Sequence, residues 1–317
     1  MTLNRREFLS ILAKTWVAAS VSGCTSLRPG KEDSLYDVKP FGEARILHIT
    51  DTHAQLNPVY FREPNVNLGV GAANGRFPHR VGKNLLDAIP SIGPSMGAHA
   101  FTYLDFKEAA ERYGQVGGFS HLATLIKRLR ANSQGSLLLD GGDTWQGSGT
   151  ALWTRGQDMV GACNLLGVDV MTGHWEFTYR EEEILKNAEL FNGEFVAQNI
   201  RATEVALFDG VPVFDEDSGH VFKPYVMKIV NNKRIAVIGQ AFPYTPIANP
   251  KRFIPNWTFG IQDQDLNELI AKIRAKESPD AVILLSHNGM DVDLKLATRV
   301  RGLDFILGGH THDGVPL

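Results

Sequence analysis

Short apolar runs that stop at histidine, aspartate or glycine set the rhythm of this chain. Arg45–Thr50 (RILHIT) reads as a buried strand ending at Asp51-Thr52-His53, and Ser136–Asp140 (SLLLD) as a second that opens into a glycine-rich loop, Gly141–Gly149. Between them, residues 54–100 are rich in Gly, Pro and Asn and hold no sustained period, so they predict an elaborate loop region with little regular structure, of the length that is usually functional. Helical spacing predicts helices over Phe119–Ala131, Met159–Leu166, Glu181–Leu190, Gln264–Ala275 and Val292–Val300. Strands are predicted at Val168–Thr172, Phe195–Asn199, Ala281–Ser286 and Phe305–Leu307, with a hairpin of Tyr225–Val230 and Arg234–Gln240 turning at Asn231-Asn232-Lys233. Strand and helix alternate, which makes the fold class α/β with helices over both sheet faces.

Composition narrows the class of function. The chain has 317 residues, 43% hydrophobic and 21% charged, the balance of a folded core, and its net charge of −3 offers no basic field for nucleic acid. Cys24 and Cys163 form no CxxC pair, so a metal would be held by His and carboxylates.

The first residues carry Asn4-Arg5-Arg6-Glu7-Phe8-Leu9 ahead of a modest apolar stretch to Val21, the pattern of a twin-arginine (Tat) export signal. Val21-Ser22-Gly23-Cys24 fits two readings, a lipobox that anchors the protein through Cys24 or an ordinary cleavage region. Residues 1–24 are therefore expected to be a signal, 25–43 a polar linker and 44–317 a catalytic domain, in a periplasmic protein. No later stretch reaches the ~18 consecutive apolar residues of a membrane span.

Ligand-type side chains recur where predicted strands end, the place where α/β sheets assemble sites. Asp51 and His53 close the first strand, and Asp143 follows the second. His174 follows the third, His287 follows ILLS, and His310 and His312 follow FIL. In an extended segment residues i and i+2 share a face, so Asp51 with His53, and His310 with His312, are each expected to grip one centre. Asp143 is expected to bridge by offering one oxygen to each of two ions. Five His and two Asp leave room at a dinuclear site for water and substrate, the arrangement used in displacement at oxygen-rich groups.

These motifs resemble the calcineurin-like metallophosphoesterase superfamily and, within it, the 5′-nucleotidase branch. The resemblance is carried by Asp51-x-His53, Gly142-Asp143-x-x-Gln146-Gly147-Ser148, a degenerate Gly-Asn-His-Glu at Gly173–Glu176, Ser286-His287-Asn288-Gly289 and Gly309-His310-Thr311-His312. It implies a four-layer αββα sandwich, two metal ions and a further C-terminal domain, so that a chain ending at Leu317 reads as truncated. In place of Asn-His-Glu the chain has His174-Trp175-Glu176-Phe177-Thr178-Tyr179, which exchanges a ligand Asn for His174, the family's catalytic His for Trp175, and the Asp that orients that His for Thr178. This run, with Asn67–Arg76, Phe101–Phe106 and Gly239–Pro246, resembles the SoxB thiosulfohydrolase family. That resemblance implies two Mn²⁺ ions and release of sulfate from a Cys-S-sulfonate on a SoxYZ-type sulfur-carrier protein. It also implies Asp51, His53 and His312 on one ion, His174, His287 and His310 on the other, and Asp143 on both. Donor chemistry alone suits zinc or iron as well as manganese. Gln146 is read either as orienting a site group or as a loop residue, Trp175 either as a channel wall or as core packing. Arg180 stands where the family pattern leads one to expect Gly. Two other functions remain: a 5′-nucleotidase-like phosphoesterase, and a non-catalytic metal-dependent binding protein.

Overall fold

Alternation along the strands decides the architecture. In the computed structural model, which describes residues 42–60, 64–91, 98, 101–312 and 314, β1 (Arg45–Ile49), β2 (Ser136–Asp140), β3 (Val170–Met171) and β4 (Glu194–Phe195) form a parallel sheet in that order. After the short antiparallel partner β5 (Arg201–Ala202) come β6 (Tyr225–Val230) and β7 (Lys233–Gln240). β8 (Trp257–Thr258) pairs with β5, and β9 (Ala281–Ser286) and β10 (Phe305–Leu307) complete a second sheet of order β10-β9-β7-β6. All its pairings are parallel except the β6–β7 hairpin.

Every second side chain of each sheet enters a shared core. Leu137 and Leu139 of β2, Val170 of β3, Ile235 and Val237 of β7, and Ile283 and Leu285 of β9 pack face to face between the sheets. Their neighbours point the other way. Leu138 and Met171 lie under the helices Phe119–Ala131, Gln157–Leu166 and Arg180–Leu190, and Ala236, Ile238, Val282 and Leu284 lie under Asp263–Glu277 and Met290–Arg299. The result is the expected αββα sandwich. Burial of each such Leu, Ile or Val contributes about 1.5–3 kcal/mol, so a one-residue slip of any central strand would forfeit several side chains at once.

Several expected elements are adjusted. Phe119–Ala131, Ser136–Asp140, Tyr225–Val230, Ala281–Ser286 and Phe305–Leu307 have the predicted bounds. The strands expected at Val168–Thr172 and Phe195–Asn199 are reduced to the two-residue ladders Val170–Met171 and Glu194–Phe195, and Val196 pairs instead in an isolated bridge with Lys223. The hairpin turns on two residues rather than three: Asn231 and Asn232 have φ of 49° and 64°, and Val230 pairs directly with Lys233.

The chain divides into two compact units, one made of residues 42–60 and 115–312, which contains both sheets, and another that includes residues 64–91 and 101–114. The latter is more regular than its composition suggested, with helices at Gly82–Ala88 and Phe106–Tyr113, the second capped by Asp105 accepting the Glu108 N–H. Inside it the Asn65 carbonyl accepts from both the Thr102 hydroxyl and the Tyr103 N–H. The expected signal and Cys24 lie outside the described residues. Among the described residues no helix is long and apolar enough to cross a membrane.

Candidate metal centre

Both sheets end at the same seam, and the candidate ligands sit on it. Asp51 and His53 leave β1, Asp143 leaves β2 and His174 leaves β3. His287 directly follows β9, and His310 and His312 follow β10. Their ligand atoms fall into two groups, Asp51, His53, Asp143 and His312 in one and Asp143, His174, His287 and His310 in the other, each with all atoms within 4.8 Å of one another. Asp143 is common to both.

The backbone that presents these groups is unusual. Asp51, His53, Asp143, His310 and His312 all have positive φ, between 46° and 75°, in the left-handed region that favours glycine. The segments are therefore not extended, and the spacing argument fails for one pair. His310 and His312 face different groups, whereas Asp51 and His53, whose backbone is also left-handed, face the same one. Hydrogen bonds hold the turns: Asp51 N–H donates to Gly142 O (2.8 Å), His53 N–H to Asp143 O (2.7 Å), and the His310 N–H reaches both Asp51 oxygens. Gly142 allows a close approach of the two loops, since a Cβ there would stand 2.9 Å from Gly173 Cα and 3.1 Å from His287 Nδ1.

Asp143 presents its two oxygens differently from expectation. Oδ1 accepts the Trp175 N–H at 2.7 Å, whereas Oδ2 faces His287 Nε2 at 3.1 Å, His174 Nδ1 at 3.3 Å and His53 Nε2 at 3.8 Å. A bridge would run through Oδ2 alone, with the other oxygen committed to the main chain. His312 Nε2 lies 2.9 Å from Asp51 Oδ1 and 3.1 Å from His53 Nε2. The Thr50 hydroxyl donates to Asp51 Oδ2 at 2.5 Å.

The carboxylates and imidazoles set one another's charge. Burial opposes charge on Asp51, yet His312 and His287 hold its carboxyl down to about 2. Asp143 is likewise buried, and His287 and His174 keep it well below the usual carboxylate range. Burial would leave His287 neutral, but Asp143 and Asp51 lift it to about 9. His310 falls to about 4 through burial and the neighbouring His287 and His174. Two anions thus face five imidazoles, and His287 Nδ1 lies 2.7 Å from Gly141 O. Donation there would leave the Nε2 lone pair aimed at a carboxylate, the orientation seen when an imidazole is a ligand. Two carboxylates and five imidazoles are a donor set suited to divalent cations. Ligands of one ion at about 2.0–2.2 Å can be no more than roughly 4.4 Å apart, close to the observed spread, so the donors fit two divalent ions.

Around this centre the remaining expected residues separate. The Trp175 ring lies 4.5 Å from that of His174, tilted by 31°, while the Thr178 hydroxyl donates back to Trp175 O at 2.7 Å. Gln146 is half-buried in the loop that follows Asp143. Two residues were passed over in the sequence. Phe242, just beyond β7, places its ring 4.0 Å from His174 and 4.3 Å from His310; it too follows a strand end, but a phenylalanine there reads as core. Thr50 bonds Asp51, and nothing distinguishes it from the rest of its apolar run.

Known proteins share the family and the fold. Residues 44–314 match the model of the calcineurin-like phosphoesterases. The chain belongs to the calcineurin-like phosphoesterase family. It is 30% identical to the snake venom 5′-nucleotidase of Gloydius brevicauda over 68% of this chain and 35% of that protein, and 30% identical to the rat 5′-nucleotidase over 62% and 33%. Among solved structures, a Thermus thermophilus protein described as the sulfate thiohydrolase SoxB is 37% identical, with a TM-score of 0.77, over 88% of this chain and 50% of that one. A 5′-nucleotidase precursor from Thermus thermophilus shares the fold, at 22% identity and a TM-score of 0.57, over 84% of this chain and 41% of that one. The chain thus spans about a third of the curated relatives and half of the SoxB chain. Within this family of metal-dependent hydrolases, its seven seam residues are candidates for a dinuclear centre.

Proposed function

We propose that this calcineurin-like phosphoesterase hydrolyses an S-sulfonate carried on a cysteine of a SoxYZ-type sulfur-carrier protein, releasing sulfate. The observation that carries the reading is the group beside His174. Where a phosphoesterase would place an acid, an indole stacks on that ring, and Thr178 spends its hydroxyl on a main-chain carbonyl. Asp51, His53 and His312 would hold one divalent ion and His174, His287 and His310 the other, with Asp143 shared; manganese is the ion that the sequence resemblance to the SoxB family implies. Bound there, the ions would supply Lewis acidity toward water and toward the oxyanion.

The protein's own part is positioning. Trp175 and Phe242 flank His174 and turn that side of the centre apolar, so no proton is handed to the departing group. In hydrolysis, water oxygen bonds to the sulfonate sulfur, the S–S bond between that sulfur and the carrier's sulfur breaks, its electron pair leaves on the cysteine thiolate (on a perthiolate where a second sulfur intervenes), and the protons of water pass to sulfate and solvent. A cysteine thiol has a pKa of about 8.5, so this leaving group departs as an anion, whereas an alkoxide gains roughly 10²–10⁴-fold from a positioned acid. Export through the twin-arginine signal would bring the protein and its carrier together in the periplasm.

The curated relatives favour the other reading, a 5′-nucleotidase-like phosphoesterase on the same donor set. With Mn²⁺ added, kcat/KM for a thiosulfonated Cys-Gly peptide is expected to exceed that for a nucleoside 5′-monophosphate. Faster turnover of the nucleotide would establish the phosphoesterase instead.

A further inference from the structure

We infer that Glu176, which belongs to neither ligand group, is a positioning residue that organises the Asp143–His174 half of the centre before any ion arrives. Its side chain is fully buried. Oε1 accepts the N–H groups of Thr144 (2.7 Å) and Trp145 (3.0 Å), and Oε2 those of His174 (2.8 Å) and Asp143 (3.3 Å). A carboxylate accepts only, with about four lone-pair sites, and here the main chain fills all of them. Such a ring of amides around an anion is a nest turned inward on a side chain.

The two loops are laced reciprocally. Glu176 of the β3 loop takes three N–H groups from the β2 loop, and Asp143 of the β2 loop takes the Trp175 N–H of the β3 loop. Both residues on which Glu176 acts, Asp143 and His174, are therefore placed by hydrogen bonds that require no metal. Asp143 is in the left-handed region, with φ 56°, a conformation that needs outside support. Gly173 supplies the room, since a Cβ there would lie 3.1 Å from Glu176 Oε2. The Asp51, His53 and His312 side chains are reached by none of these bonds; the Asp51 and His53 N–H groups donate instead to the carbonyls of Gly142 and Asp143.

An amide in place of the carboxylate would turn donors against donors at one pair of bonds whichever way it pointed. Glu176→Gln should therefore weaken the ion on the His174 side by roughly 10–100-fold and spare the other. This rests on the dinuclear reading, so wild type and variant are titrated with Mn²⁺ alone, by calorimetry and by the paramagnetic resonance spectrum that separates coupled from single Mn²⁺. Two coupled ions in wild type and one uncoupled ion in Glu176→Gln are expected. Two ions bound by Glu176→Gln with wild-type affinity would overturn the role of Glu176, and failure of wild type to bind two would overturn the dinuclear reading alone. Glu176→Asp keeps the charge but lacks the reach, and should give the same loss in milder form. Hydrogen exchange on metal-free wild type decides the matter even if neither variant folds. The amides of Asp143, Thr144, Trp145 and His174 should be protected without metal, and exchange at the rate of open loops would sink the proposal.

Discussion

The two halves of the centre share one carboxylate and little else. On the side of His174 and His287, side-chain exposure is 1% and 0%, and the rings are packed by Trp175 and Phe242. On the other side His53 and His312 are 32% and 20% exposed, and their nearest partners are each other and Asp51. The buried half is built like a protein core, with geometry fixed by packing and main-chain hydrogen bonds. The open half is built like a surface, where water and substrate have access. A hydrolase needs both characters, and here they are divided between two groups of ligands instead of being blended in each.

The largest effect should come from the residue the halves share. Asp143→Asn removes the negative charge from Oδ2, the atom that three imidazoles face; it should reduce the bound ions from two to one or none and activity by at least about 10³-fold, on the scale of losing a principal electrostatic group. His53→Ala, by contrast, should leave one ion in the buried half. Metal content of the purified variants checks both, and loss of both ions from His53→Ala would show that the halves do not load separately.

A smaller effect is expected from rebuilding the buried flank. Trp175→His with Thr178→Asp restores an acid and its orienting carboxylate, and should shift the ratio of kcat/KM for phosphate ester over S-sulfonate upward by roughly 10². An unchanged ratio would mean that the flank does not select the leaving group.

How much of this was legible follows from what each feature needs. A strand end followed by His or Asp is visible because side-chain alternation marks the strand and polarity marks its end, so all seven candidate ligands were found. The division of His310 from His312 was not, since the spacing argument assumes an extended backbone and neither residue type announces a left-handed turn. Phe242 and Glu176 escaped for the opposite reason: an aromatic and a motif carboxylate have ordinary uses, and only their neighbours in space reveal others. The pairing of β5 with β8, two residues each, is too short to leave any period, and helix Phe106–Tyr113, with only eight residues, completes barely two turns of its Phe106-Ala109-Ala110-Tyr113 stripe.

The smallest effect concerns a residue beyond the buried half. Arg180 ends the turn that starts at Trp175, with φ 76° and ψ 164°, a conformation open to glycine and costly for others. Its guanidinium lies 5.7 Å from the Phe253 ring centre, worth about 0.5–1 kcal/mol. Arg180→Gly should thus raise stability by no more than about 1 kcal/mol in denaturant unfolding and leave metal content unchanged. A clear loss of stability would mean that the contact outweighs the strain.

The left-handed backbone under Asp51, His53, Asp143, His310 and His312 also bears on how this protein can be improved. At each of these positions glycine or asparagine would sit with less strain, so substitutions there stand to gain stability while removing a donor. Selection for heat resistance alone would therefore erode the centre first. Stability and activity are opposed at these five positions, and thermostable derivatives are better sought between the sheets and under the outer helices, where packing can be improved without touching the seam.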